Sequence, residues 1–252
     1  MTDHLERLLT ETRVPAPPGT DDAVLLGTGL VDGAMIHDSP AGDVVVAFNP
    51  TGVVSVDLPG DDLDERHQAR FGRRLVEARP PTAWAKHLDR ALEDGRPGNL
   101  PLDLRTLTGF QRAVLDLTAS IPRGEVRPYG WLAAGVGRPG ATRAVGSVMA
   151  TNPVPLIVPC HRVVRSDGRI GAYSLGGSDI KHLLLESEGA DPEGLENLAR
   201  RGIRYLGSNT TGIVCFPTCR HARRITEAHQ VPFRSLADAE AAGYRPCEVC
   251  RP

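Results

Sequence analysis

Four of the chain's five cysteines fall within its last 38 residues, as Cys215, Cys219, Cys247 and Cys250 in the spacing C-x3-C-x27-C-x2-C. Two close pairs separated by a long loop suit a tetrahedral metal site, because each pair clamps one edge of the ion. Zn2+ is the expected occupant, with an iron–sulfur cluster second. The segment is about 55 residues long and poor in large apolar side chains, so a metal staple would supply stability that its core lacks. Zinc held by four thiolates ordinarily serves the fold alone. Nothing in the chain suggests an organic cofactor.

The fifth cysteine, Cys160, stands by itself inside Pro-Cys-His-Arg, and neither pattern resembles a disulfide framework. The N-terminus is polar and amphipathic, without the apolar run of a signal peptide, and no stretch is long enough to span a bilayer. The expectation is an intracellular, cytoplasmic protein with no membrane partner, a setting in which free thiols and thiolate–metal sites survive. Net charge is −2, but it is unevenly spread. Residues 1–104 carry 18 acidic against 10 basic side chains, residues 105–194 carry 8 against 10, and residues 195–252 carry 5 against 9. A basic rear can accompany a DNA-facing surface; ordinary variation of surface charge explains it equally well.

Residues 1–12 suggest a short helix with Leu5, Leu8 and Leu9 on one side, followed by the connector VPAPPGTDD. From Val24 to Leu58 the Val-rich segments VLLGTGLV, DVVVAFN and GVVSVDL read as strands. A helical pattern runs from about Asp64 to Val76. A second helix places Trp84, Leu88 and Leu92 four apart, with Gly95 as its C-cap. Further on, Phe110, Val114, Leu117 and Ile121 share one helical face that Pro122 ends. PYGWLAAGV and GATRAVGSVMATN, joined by a GRP turn, form a helix-turn-helix candidate. The stretch from Asn152 to Gly177 must be loops and short strands, and two more helices, SDIKHLLLESEG and DPEGLENLARRG, lead into the tail.

A lone cysteine is by composition most often a core filler. Here its context is specific. Pro159-Cys160-His161-Arg162-Val163 follows Asn152-Pro153 and Arg143-Ala144-Val145-Gly146, after Ile121-Pro122, Gly124, Tyr129 and Leu132-Ala133. Downstream come Gly171, Tyr173-Ser174, Gly176-Gly177, Lys181, Leu183-Leu184 and Glu188-Gly189. In these motifs, from about Phe110 to Gly189, the chain resembles the O6-alkylguanine-DNA alkyltransferases. One departure is Leu175, which stands between Ser174 and the glycine pair and is expected to remodel the lesion loop slightly.

The chemistry implied is irreversible alkyl transfer from a guanine oxygen to the Cys160 sulfur, for which thiolate is the competent nucleophile. By the resemblance His161 takes the proton, Glu188 orients it and supports its charge, and Asn152 pins the turn carrying Cys160. A simple turn role for Asn152 fits the sequence nearly as well. Tyr129, Tyr173 and Ser174 are expected at the lesion base, Tyr129 otherwise being a packing aromatic. A base in a duplex must be extruded before it reacts. Arg143 is the candidate to fill the vacated stack, the alternative being a phosphate contact or a solvated charge. Its small neighbours Ala141, Ala144 and Gly146 would let the helix approach a minor groove about 6 Å wide.

The tail carries a second resemblance, to the Ada-type zinc-binding domain. It rests on Thr210-Thr211-Gly212-Ile213, Cys215, Pro217-x-Cys219, Ala241-Ala242-Gly243-Tyr244-Arg245-Pro246-Cys247 and Cys250-Arg251-Pro252. In that family the first cysteine is both ligand and acceptor of methyl from backbone phosphotriesters, which by position is Cys215. Four thiolates on Zn2+ carry a formal charge of −2, and methylating one removes a negative charge, so DNA binding should tighten. Arg220, Arg223, Arg224 and Arg245 are candidate phosphate contacts. Placing this domain last, with no room for two further helix-turn-helix units, disfavours a transcriptional regulator.

The sequence thus leads to a monomer that repairs double-stranded DNA bearing alkyl lesions. Its α/β N-terminal domain (residues 1–104) is ribonuclease H-like by resemblance. A mainly helical alkyltransferase domain with a helix-turn-helix follows (105–190), then a linker helix and a small four-cysteine zinc domain (191–252). The rival is a non-catalytic sensor of alkylated DNA, with the tail a structural zinc DNA-binding module.

Overall fold

The computed structural model describes residues 19–252; the helix expected over residues 1–12 lies outside them. Among the described residues no helix is long and apolar enough to cross a membrane. The chain begins with α1 (Thr20–Thr28), which carries Asp21 and Asp22 at its positive N-terminal end and stops at Gly29, left-handed at φ 74°. This corrects the strand expected over Val24–Val31, where the apolar run lies on a helix instead.

The first strand is β1 (Asp32–His37), followed by β2 (Val44–Asn49) and β3 (Gly52–Asp57). The β2–β3 turn is fixed by Asn49, whose side-chain oxygen accepts from the Thr51 and Gly52 amides. Helix α2 (Leu63–Phe71) ends at Gly72, φ 73°, and the chain re-enters the sheet as β4 (Leu75–Glu77). The helix expected to reach Val76 is therefore five residues shorter. Left-handed Gly72 breaks it, and Val76 pairs with Gly33 of β1. The sheet order is β3-β2-β1-β4, antiparallel except for the β1–β4 pair.

Helix α3 (Ala85–Asp94) follows a 3-10 turn at Thr82–Trp84, buries Leu88 and Leu92 and is capped by Gly95 at φ 64°, as the sequence predicts. Helix α4 (Gly109–Ala119) starts with a reciprocal capping box between Thr108 and Gln111. A short strand β5 (Arg127–Pro128) leads into α5 (Tyr129–Gly135), and α6 (Thr142–Ala150) completes the helix-turn-helix pair. Val44, Val46, Leu88, Leu92, Val114, Leu132, Val145 and Cys160 belong to one buried cluster, so the sheet and the helices share a core. The edge of β3 also holds the next loop directly, because the Val56 amide donates to the Pro153 carbonyl at 2.9 Å.

Gly95 joins the two halves of that core. A Cβ there would stand 2.6 Å from Arg162 Nη2 and 3.0 Å from Pro159 Cβ. Gly95→Ala is expected to cost about 1–3 kcal/mol, from the left-handed backbone and the overlap together. A urea denaturation midpoint equal to that of the native protein would show that α3 does not buttress the Pro159–Arg162 turn.

Candidate active site and metal centre

Cys160 opens a 3-10 turn (Cys160–Arg162) that runs into strand β6 (Val163–Val164), paired in parallel with β5. The preceding loop contains Leu156 at φ 70°, a left-handed non-glycine held in place by full burial of its side chain. Asn152 organises this loop. Its oxygen accepts from the Val154 amide at 3.1 Å, and its amide nitrogen lies within hydrogen-bond reach of both the Val158 carbonyl (3.0 Å) and Cys160 Sγ (3.2 Å). The turn-pinning residue is thus also a donor to the thiol.

Burial pushes the Cys160 thiol up, while the Asn152 hydrogen bond and the positive charge of Lys181 act the other way. Lys181 is itself buried, donates to the carbonyls of Val163 and Ile170 at 2.7 and 2.8 Å, and is brought down by burial to about 8. It sits on α7 (Gly177–Ser187), which ends at Glu188.

Glu188 gathers three partners. Its Oε1 lies 2.9 Å from His161 Nε2 and 2.6 Å from Arg162 Nη2, Arg162 Nε donates to Oε2 at 2.9 Å, and the Gly124 amide donates to Oε2 at 3.1 Å. Burial alone would raise this carboxyl, but the hydrogen bonds and charges of His161 and Arg162 hold it down at about 2. An ionised carboxylate only accepts, so the proton of neutral His161 is on Nε2 and Nδ1 is the basic nitrogen. Nδ1 is buried and has no hydrogen-bond partner among the described residues. Burial lowers the imidazole's affinity for a proton, so the ring rests neutral.

A cavity of about 430 Å3 opens beside Cys160, and Tyr129, Gly146, Tyr173 and Ser174 all line it. Met149 and Arg165, which the sequence did not single out, line it too. Burial raises Tyr129, which keeps its phenol a hydrogen-bond donor near neutral pH. Arg143 and Ala141 do not line the cavity: Arg143 is exposed on the first turn of α6, and Ala141 is its N-cap residue. Leu175 is buried and packs into the main core, so the extra residue is absorbed inward.

After α7, helix α8 (Pro192–Arg200) starts at Asp191, whose carboxylate accepts from the Gly194 amide. The tail adds a second sheet of β7 (Tyr205–Ser208), β8 (Ile213–Cys215), β9 (Gln230–Phe233) and β10 (Arg245–Pro246), in the order β10-β8-β7-β9. Helix α9 (Leu236–Ala241) packs beside it. The four cysteines are buried together, with their sulfurs all within 4.8 Å of one another. Tetrahedral zinc–thiolate bonds of about 2.3 Å put sulfurs about 3.8 Å apart, so this all-thiolate set fits zinc.

Cys215 lines a second cavity of about 330 Å3 together with Thr210, Thr211, His221, Arg224 and His229. Of the four candidate arginines, Arg224 is the one at this cavity. Arg220 and Arg245 are exposed, and Arg223 reaches the Gly189 carbonyl at 3.4 Å.

Comparison with known proteins gives the same two parts. A family model described as 6-O-methylguanine DNA methyltransferase, DNA binding domain, matches residues 109–190, and the metal binding domain of Ada matches residues 198–252. A methylated-DNA–protein-cysteine methyltransferase of Methanosarcina acetivorans is 33% identical over 165 residues, covering 62% of this chain and 97% of that protein. The chain belongs to this methyltransferase family. A second member, from Methanothermobacter thermautotrophicus, is 43% identical over 123 residues, 47% of this chain and 68% of its own length. The crystal structure of Mycobacterium tuberculosis O6-methylguanine methyltransferase superposes with a TM-score of 0.50 at 31% identity, covering 67% of this chain and 98% of that one. The methyltransferase match and the zinc-binding match occupy separate stretches of this chain, residues 109–190 and 198–252.

Proposed function

We propose that this methyltransferase repairs double-stranded DNA by moving an alkyl group from the O6 oxygen of guanine irreversibly onto Cys160. The observation that carries this reading is the sequence of contacts from Asn152 to Cys160 and from His161 to Glu188, set beside a cavity large enough for an extruded base. The Cys160 proton passes to His161 Nδ1, directly or through a water, and Glu188 stabilises the imidazolium that forms. The thiolate attacks the alkyl carbon; the S–C bond forms as the C–O6 bond breaks with its electron pair on guanine, and the proton held by the imidazolium is returned to the guanine anion, leaving His161 neutral again. Tyr129 and Ser174, which both line the cavity, are the donors to the charge developing on that oxygen. The thioether is not reversed, so each molecule repairs one lesion.

Arg143, exposed at the start of α6, is our candidate to occupy the stack the base leaves, with Ala141 and Gly146 allowing close approach. The three-part division at residues 104/105 and 190/191 is our reading of the architecture, as is an intracellular location. The mixed sheet of β1–β4 packed on α3 supports a ribonuclease H-like first part.

For the tail we propose a second acceptor. Zinc, when bound to Cys215, Cys219, Cys247 and Cys250, keeps the sulfurs anionic and nucleophilic. Cys215 lies against a cavity with Arg224, His221 and His229, which suits an approaching phosphotriester. Peptide mass mapping after incubation with heavily methylated duplex DNA tests both assignments. Methyl is expected on the Cys160 peptide and on the Cys215 peptide. Methyl on Cys160 alone would leave the tail a structural module, and a folded, DNA-bound protein with no methyl on Cys160 would be a lesion sensor.

A further inference from the structure

The zinc-binding tail is not tethered loosely to the transfer site. Thr218 lies between the ligands Cys215 and Cys219, and its hydroxyl accepts from the Val126 amide at 2.9 Å. The Arg220 amide, one residue past Cys219, donates to Glu125 Oε1 at 3.1 Å. Trp131 Nε1 on α5 donates to the carbonyl of the ligand Cys250 at 3.1 Å. Inside this seam Glu125 and Arg127 form an ion pair with both side chains 2% exposed. The Arg127 guanidinium lies 5.7 Å from the Trp131 ring centre and 5.4 Å from that of Phe216, the residue after Cys215.

The segment so gripped, Gly124–Trp131, reaches the candidate active site at three points. The Gly124 amide donates to Glu188, the orienter of His161. Arg127 and Pro128 pair with Val163 and Val164, directly after the Cys160–Arg162 turn. Tyr129 lines the cavity beside Cys160. A buried ion pair holds its geometry only while its surroundings complete its hydrogen bonds. Here the tail supplies the Arg220 amide to the carboxylate and the Phe216 ring to the guanidinium, both from the loop that begins at Cys215.

We propose that the zinc domain is a working part of the alkyl-transfer site: Thr218, Arg220 and Cys250 position the Gly124–Trp131 segment, so metal occupancy of the tail sets the rate of transfer to Cys160. The inference rests on the assignment of Cys160 as acceptor. Thr218 and Arg127 are positioning residues in this scheme, since neither touches the reacting atoms.

The test uses the full chain, zinc-loaded, stripped with a chelator, and reloaded with zinc chloride. Two readouts are taken: amide hydrogen exchange of the 124–131 peptide, with the β2–β3 strands as internal reference, and single-turnover transfer from a duplex carrying O6-methylguanine. Stripping is expected to raise exchange at 124–131 and slow transfer roughly ten- to a hundredfold, the range for misplaced reacting groups, and reloading should restore both. Thr218→Val keeps all four ligands and removes one hydrogen bond. It should raise Val126 exchange, slow transfer by about two- to tenfold, and by reciprocity weaken zinc binding in a competition titration. Trp131→Phe, which removes the bond to Cys250, should act in the same direction. An unchanged transfer rate on stripping overturns the proposal whatever the exchange does, and so does unchanged exchange at 124–131. Failure of the zinc-loaded native protein to transfer any alkyl group would instead remove the Cys160 assignment, and the exchange readout keeps the two failures apart.

Discussion

Glu188→Ala is expected to destabilise the protein by about 3–5 kcal/mol, the range for breaking a buried ion pair from one side, and to remove most of its alkyl-transfer activity. The reason is the concentration of partners on one carboxylate. Arg162, fully buried, would keep a carbonyl partner at Ile121 (2.8 Å) and another at Asp94 (2.6 Å) but lose its counter-charge, the one it has among the described residues. His161 would lose the acceptor that fixes its tautomer, and the Gly124 amide would lose its partner. The pH dependence of stability gives an independent check. The carboxyl is held at about 2 in the folded protein, below its ordinary value of 4.5. Its contribution is therefore fully present above about pH 4.5 and is lost as pH falls toward 2. At about 1.4 kcal/mol per unit, that shift is worth about 3 kcal/mol. Urea denaturation of native and Glu188→Ala proteins between pH 2 and pH 6 should give curves that converge in acid. Parallel curves would mean that Glu188 does not titrate in this network.

The residues that make this network differ sharply in how readable they are from the sequence. Cys160, His161, Asn152 and Glu188 sit in local motifs, and the four tail cysteines announce themselves by spacing alone. The helix-turn-helix pair and the Gly95 cap were equally legible, because capping and apolar periodicity are local properties of the chain. Strand β1 was not. DGAMIH lacks a Val-rich run, is exposed at Ile36, and begins with a buried aspartate held by His67 of α2 and by Arg73 just beyond it. The apolar run VLL just before it fits a strand by composition, yet Gly19 and Gly29 bracket it as a helix.

The contacts of Arg162 and of the Glu125–Arg127 pair were illegible for a different reason. Arg162 reads as part of a Pro-Cys-His-Arg motif, but its work is done on residues 26, 41 and 68 positions away. Val126 meets Thr218 across 92 residues. No periodicity encodes such a meeting. Only the fold brings together the two ends of what the sequence presents as separate modules.

Cys160→Ser should eliminate transfer altogether while leaving the fold nearly intact. The substitution exchanges one small side chain for another inside the same turn, and Asn152 can donate to an oxygen as it does to sulfur. Reactivity is another matter. A serine hydroxyl is far harder to ionise than a thiol, and a neutral histidine with the Asn152 hydrogen bond and the Lys181 charge, enough to favour a thiolate, falls short of what an alkoxide needs. An oxygen nucleophile also gains nothing from the soft, polarisable character that suits sulfur to attack on an alkyl carbon. The variant should therefore bind a duplex containing O6-methylguanine, extrude the base and stop. Complexes that the native protein resolves by repair would accumulate, visible as lesion-dependent retention in fluorescence anisotropy with no methylated peptide at position 160. Stability in urea should change by no more than about 1 kcal/mol, since volume and polarity are nearly conserved. If the variant still consumed the lesion at a measurable rate with no alkyl group at position 160, the acceptor would have to be another residue, and Cys215, which lies beside a cavity, would be the place to look.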